Sequence, residues 1–397
     1  MKIYSENLRV PIKCWCLNPE QSAIEQAQNL ANLPFAFHHV ALMPDTHLGF
    51  GMPIGGVLAT EKVIIPNAVG VDIGCGMCAT KTTLHESELN REVLTRVMSK
   101  IREVVPVGFA HQKEPQNESL MPYIVDGYKG RPVCLEQYPS AIKQLGTLGG
   151  GNHFIEIQKD KDGMIWVMLH SGSRNLGKKV ADHYNKLAVD LNEKYHSAVP
   201  KVWQLAFLPI DSREGQEYIA EMRYCVEFAL ANRSLMMNRI LFALSEVVAG
   251  SGTKGEKESF FQPWINIAHN YASLEHHYGR DVWVHRKGAT LARSDTIGII
   301  PGSQGTASYI VLGKGCADSF QSCSHGAGRK MGRKEACRKL DLEEEKKKLE
   351  GIVHSVRNTT DLDEAPGAYK SIDTVMAEQT DLVDIIVELK PLAVIKG

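Results

Sequence analysis

The sequence predicts an α/β protein, with mixed sheets and surrounding helices, closed into one large globular unit around a central metal cleft. Three observations lead there. Strand-like apolar runs alternate with amphipathic helical stretches through the 397 residues. No linker, repeat, low-complexity stretch or composition break divides the chain, and 43% hydrophobic residues supply a sizeable core. Side chains of metal-ligand type are spread from Asp72 to His325, so the chain must fold back on itself to unite them. A single domain over 1–397 follows.

The elements are read in order. Residues 1–16 form an extended lead-in. Asn18-Pro19-Glu20 reads as a helix start with a cap, a first-turn proline and an early acid, and Ala23, Ile24, Ala27, Leu30 and Ala31 keep one apolar face. Phe37 to Leu42 is strand-like, and the glycines and proline of 49–56 suggest a shaped loop. Val57 to Ile65 continues as strand. Ser87 to Val105 is the clearest amphipathic helix, through Leu89, Val93, Leu94, Val97, Met98, Ile101 and Val105. Residues 109–131 are polar and read as a long exposed loop. Ile165 to Leu169 is a buried-strand run delivering His170, and a helix opens at Ser171-Gly172-Ser173-Arg174 and runs to about Tyr195. A long helix from Arg213 to about Leu244 is broken by the stretch Gly250 to Lys257. Short strands follow near 264–268, 282–285 and 297–301, then a charged helical segment from Arg329 to Glu350 and an apolar tail.

Bulk properties exclude several classes. The net charge is −1, so no whole-molecule field draws the chain to a polyanion. No apolar run is long enough to span a bilayer, and the N-terminus lacks a signal-peptide stretch. A cytoplasmic location is expected, in which nine irregularly spaced cysteines stay reduced.

The chemistry concentrates around Gly70-Val71-Asp72-Ile73-Gly74-Cys75-Gly76, where a glycine-rich turn can aim a carboxylate and a thiol at one point. His153, His170 and His269 stand in comparable settings. Asp72, Cys75, His153, His170 and His269 exceed what one tetrahedral ion uses, so two ions sharing the thiolate is the natural count, and ligand softness alone points to zinc. The turn Pro301-Gly302-Ser303-Gln304-Gly305-Thr306-Ala307-Ser308 can present backbone N–H groups and hydroxyls to an anion, although it is not a Walker loop. Arg286-Lys287, Arg293 and the cations from Arg329 to Lys334 could neutralise phosphates, or simply face solvent. His325, flanked by glycines in Ser324-His325-Gly326-Ala327-Gly328-Arg329, reads first as a further metal ligand and second as a nucleophile.

Seven motifs in order resemble the RtcB RNA ligase family: Asp45-x-His47-x-Gly49, the Gly70–Gly76 turn, Gly151-Asn152-His153-Phe154-x-Glu156, His170-Ser171-Gly172-Ser173-Arg174, His269-Asn270-Tyr271, Pro301-Gly302-Ser303 and Ser324–Arg329. The terminal Lys396-Gly397 agrees as well. The resemblance implies an RtcB-like fold and one catalytic domain. It implies an enzyme that joins an RNA 3′-phosphate or 2′,3′-cyclic phosphate to a 5′-hydroxyl, using GTP and two manganese ions, in tRNA splicing or RNA repair. Cys75 would bridge the ions, His153 and His170 would complete one, and Asp72 and His269 the other. His325 would take up the guanylyl group, and Asn152, Glu156, Ser303, Ser308, Gly326, Ala327, Gly328, Tyr369 and Lys396 would hold the guanylate. Manganese thereby replaces the zinc expected from ligand softness. RNA ends and GTP are the implied partners, with room for an activating protein and no membrane. Gln304, Gly150, Gly332 and Asn175 depart from the family's usual residues. Two other classes stay open: a dinuclear phosphodiesterase that only opens cyclic phosphates, and a non-catalytic binder of RNA ends.

Overall fold

A computed structural model describes residues 1–123, 132–250 and 264–397. The far end of the polar loop predicted to reach 131 lies outside the described residues, as does the break predicted over 250–257 apart from Gly250, which is the last residue of the long helix. Two large sheets dominate. The six-stranded sheet runs in the order Lys2–Tyr4, Ile12–Cys14, Ala36–Phe50, Met52–Thr60, Arg280–Lys287 and Asn270–His277, and its one parallel pairing joins Ile12–Cys14 to Ala36–Phe50. The seven-stranded sheet runs Ile265–Ala268, Gly76–His85, Met164–Ser171, Phe154–Lys159, Val383–Lys396, Ser308–Gly313 and Ile297–Ile300, antiparallel throughout. Helices pack around both sheets, so the α/β expectation holds. No helix among the described residues is long and apolar enough to cross a membrane, and all nine cysteines are free.

Several boundaries moved for local reasons. The first helix is Gln21–Ala31, capped by Glu20 rather than Asn18. Residues 49–56 are not a loop: Ala36–Phe50 and Met52–Thr60 form a hairpin that turns at Gly51, whose φ of 72° suits glycine. The predicted helix from Ser87 starts at Arg91, because the Asn90 side chain accepts from Val93 N at 3.0 Å and sets the cap. A helix over Val133–Gln144, with Pro139 inside it, was not anticipated. The charged segment after Arg329 is two short helices, Arg333–Lys339 and Leu342–Lys348.

The helix Arg213–Gly250 is the scaffold under the sheet ends. Its Arg233 is fully buried and donates from Nη1 to Gly74 O at 2.8 Å and to Ser171 O at 2.9 Å. Its neighbour Asn232 accepts from Gly146 N at 2.7 Å and donates to Thr147 O at 3.2 Å. Irregular backbone carries groups that a strand would have satisfied, and buried ones need partners. One helix therefore pins the turns that hold Cys75, His153 and His170.

The pair Arg286-Lys287 had been a candidate phosphate contact. Arg286 is instead fully buried on a strand, paired with buried Glu275 and donating to Phe320 O at 2.9 Å. Lys287 is also buried, with Nζ on Phe50 O at 2.6 Å and Asn67 O at 3.1 Å. Cations so enclosed serve the fold, since an unpaired buried charge is costly.

Candidate active site

Strand register, not sequence proximity, assembles the site. His269 follows the end of Ile265–Ala268, and its N–H donates to Cys75 O at 2.8 Å. Cys75 immediately precedes Gly76–His85, which pairs Gly76 with both Ala268 and Ser171. His170 lies near the end of Met164–Ser171, opposite Phe154, and His153 immediately precedes Phe154. Four neighbouring strands thus deliver four donors at one end of the sheet. The fifth strand brings Lys396 opposite Phe154.

The donor atoms meet closely. Cys75 Sγ lies 3.2 Å from His170 Nε2 and 3.5 Å from His153 Nε2. The Cys75, His153 and His170 donors form a buried group that could hold a metal ion. His170 Nε2 is 3.4 Å from His269 Nε2, and His153 Nε2 is 3.2 Å from Asp72 Oδ2. Asp72 and His269 thus flank the group, the first against His153 and the second against His170.

A cation fits this donor set. His153 Nδ1 is 3.0 Å from Leu148 O and His170 Nδ1 is 3.2 Å from Asn152 O. A carbonyl only accepts, so each Nδ1 carries the proton and each Nε2 turns a lone pair inward. Lone pairs facing one another in a buried space repel unless a positive ion lies between them. Burial holds His170 and His269 well below the usual histidine range, as neutral ligands require. Burial and the adjacent Asp72 push the Cys75 thiol well above its usual range; a bound divalent ion reverses that balance and holds the thiolate.

His325 leaves the short strand Ser322–Ser324. Its ring stands edge-on to His269, with centroids 4.8 Å apart. Its Nδ1 is 2.6 Å from Oδ2 of the fully buried Asp45, which also accepts from His325 N at 3.1 Å. Burial pushes the Asp45 carboxyl upward, but His325 outweighs this and the net value falls below the ordinary range. Gly328 is required here, because a Cβ would come within 2.3 Å of Asp45 O.

A cleft opens beside His325, lined by Asn152, Glu156, Ser303, Gly326, Ala327, Gly328, Tyr369 and Lys396, and by His170 of the donor group. Nearly all the residues implied as guanylate contacts line it. Ser308 does not; its Oγ accepts from Gly302 N at 3.2 Å and so props the 301–305 turn from beneath. Burial pushes Glu156 up to about 8, with Lys396 opposing. Across the cleft Glu364 is shared by Arg329 at 2.9 Å, Arg333 at 2.8 Å and Lys396 at 3.9 Å, and it also accepts from Tyr369 OH. Burial raises the Glu364 carboxyl, yet Lys396 and Arg329 bring it below the usual range. The loop is tied to this network by Gln304, whose Nε2 donates to Glu364 O at 2.7 Å. Nothing in the structure demands glycine at 332, where a Cβ would meet no atom within 4 Å.

Asp45, Glu364, Asn232 and Arg233 were missed by sequence reading. Asp45 stood inside a quoted motif, but its partner is 280 residues away. The other three carried no local signal.

Fold and site together define a protein whose sheet ends gather a metal-capable Cys/His cluster beside a polar, cation-rimmed cleft. Comparison narrows this. The chain matches the family described as tRNA-splicing ligase RtcB over residues 26–131 and 125–397, and it belongs to that family. It is 38% identical to the RNA-splicing ligase RtcB of Escherichia coli K12, over 98% of this chain and 97% of that protein. It is 33% identical to the tRNA-splicing ligase RtcB of Thermococcus kodakarensis, over 95% and 92%.

Proposed function

We propose that this chain is a GTP- and manganese-dependent RNA ligase, acting in tRNA splicing or RNA repair. It joins RNA 3′-phosphate or 2′,3′-cyclic phosphate ends to 5′-hydroxyl ends, as one catalytic domain. One observation carries the reading: His325, backed by the buried Asp45 carboxylate, stands between the donor cluster and the cleft. With its proton on Nδ1 toward Asp45, Nε2 has a lone pair to donate. Nε2 attacks the α-phosphorus of GTP; the bond to the β-phosphate oxygen breaks and pyrophosphate leaves with that electron pair. An oxygen of the RNA 3′-phosphate then displaces His325 from phosphorus, which leaves an RNA 3′-pp-5′-G end. Finally the 5′-hydroxyl attacks the RNA phosphorus and GMP departs. A cyclic end first needs opening by water.

The proposed division of labour follows the resemblance, and the converging Cys75, His153 and His170 donors support it. Cys75 would be shared between two ions, one also held by His153 and His170, the other by Asp72 and His269. Such ions supply positive charge against phosphoryl oxygens as negative charge develops there. Manganese rests on the family resemblance. Asn152, Glu156, Ser303, Tyr369, Lys396 and the backbone of 326–328 would hold the guanylate, with Ser308 supporting the loop.

The test is incubation of the purified chain with manganese and α-labelled GTP, followed by mass mapping. Label on His325, with pyrophosphate release, is expected; an unlabelled wild-type chain rules the reading out. Replacing Asp45 with asparagine should keep the fold but slow labelling by about a hundredfold or more, because an amide can hold the wrong imidazole tautomer. A rate within twofold of wild type would remove Asp45 from the reaction.

A further inference from the structure

The pair formed by His325 and Asp45 has a third member behind it. Lys370 directly follows Tyr369, which lines the cleft. Its backbone N–H donates to Gly328 O at 2.9 Å, on the segment that carries His325. Its side chain reaches the Asp45 segment, where Nζ donates to Thr46 O at 2.5 Å and to Pro44 O at 3.3 Å. Resting on the ligase reading above, we infer that Lys370 is a positioning residue for guanylyl transfer: it grips the carbonyls on both sides of Asp45, fixes the carboxylate that orients His325 and sets a positive charge behind it.

The segment needs such a grip. Across the hairpin the register passes from Leu42 to His47 with no paired residue between them, and the parallel pairing to Ile12–Cys14 also ends at Leu42. Pro44 and Thr46 are buried all the same, and buried carbonyls need donors. One ammonium carries three N–H groups and can serve both. A shift of this backbone would carry Asp45 away from His325 Nδ1, which lies 2.6 Å from its carboxylate. Misplacement of a reacting group by about 1 Å can cost about a hundredfold in rate.

A neutral donor could fill the same place, but the charge has its own use. Asp45 is fully buried, its Oδ2 takes both contacts from His325, and its Oδ1 has no hydrogen-bond partner among the described residues. Such a carboxylate is costly to keep ionised without opposing charge. The His47 imidazole adjoins it, with Nδ1 2.9 Å from Asp45 O, but burial lowers His47 to about 4 and leaves it neutral near pH 7. Lys370 supplies the standing positive charge. Its own surroundings do not cancel that charge. Cys16 Sγ, 3.6 Å from Nζ, belongs to a thiol raised by burial, and Glu378 accepts from Leu17 N at 3.2 Å. No carboxylate among the described residues lies within ion-pair distance of Lys370.

The test is single-turnover labelling of the manganese-loaded full chain across a range of GTP concentrations. Lys370→Met keeps the length of the side chain but loses its charge and donors. It should lower the maximal labelling rate about tenfold and leave the half-saturating GTP concentration within about twofold, a split that marks a role in the step rather than in nucleotide binding. Lys370→Arg should recover most of the rate. In an Asp45→Asn background, Lys370→Met should cost less than about twofold more, because a residue that acts through Asp45 has nothing left to act on. Lys370→Gln, which keeps a donor without the charge, replaces the methionine variant if circular dichroism shows that variant unfolded, and the same outcomes apply to it. A maximal rate within about twofold of wild type, or a full tenfold loss that persists without the Asp45 carboxylate, overturns this inference and leaves the ligase reading standing. An unlabelled wild type overturns both.

Discussion

Replacing His325 with alanine is expected to abolish covalent GTP labelling. The loss should exceed about a thousandfold, since removing a covalent nucleophile costs far more than removing a group that only orients substrate. The imidazole fills a narrow position: a Cβ added at Gly288 would stand only 3.1 Å from its ring, and His269 flanks it edge-on. Alanine leaves a small space there and keeps the backbone N–H to Asp45. The measurements are label incorporation and joined RNA product, with metal content as a control. Metal content should stay near wild type if His325 is a nucleophile. It should fall if His325 is the additional ligand that its sequence setting first suggested. A variant that still opens cyclic phosphate ends at the wild-type rate, in an enzyme that never yields joined product, would identify a phosphodiesterase instead.

Cys75→Ala should be nearly as severe and should act through metal. Its thiol is the group within 3.5 Å of two imidazole nitrogens, so its removal affects every ion the cluster can hold. Loss of supporting partners alone lowers metal affinity about 10- to 100-fold, and loss of a shared ligand should exceed about a hundredfold. Manganese titration by calorimetry reads this directly, with circular dichroism to confirm the fold. The same titration has a pH signature. The thiol, raised by burial and Asp72, must lose its proton to bind, so wild-type affinity should rise with pH. An alanine variant that binds manganese as tightly as wild type would dissolve the proposed centre.

Much of the fold's local content was readable. The helices over 91–104 and 174–194 follow apolar periodicity, and the strand that ends in His170 follows a continuous apolar run. The shaped loop at 49–56 was misjudged because glycine and proline were taken to interrupt a strand. In the structure they lie along a hairpin bent by irregular register between Leu42 and His47. The cations at 286 and 287 were misjudged because a charge pattern does not say whether a neighbouring strand will bury it.

The sequence by itself determined which chemistry is available: a thiol and a carboxylate in one glycine turn, histidines at strand ends, and a glycine-flanked histidine at 325. These are short-range facts, set by residue type and by the backbone freedom of a few neighbours. Only the tertiary structure decided which groups stand together. It set Cys75 with His153 and His170, Asp72 and His269 at their flanks, and Asp45 behind His325, and it braced the turns from Asn232 and Arg233. The reason is physical. Antiparallel register aligns strand ends that are dozens to hundreds of residues apart, and the buried polar groups left there must find partners wherever the packed chain offers them.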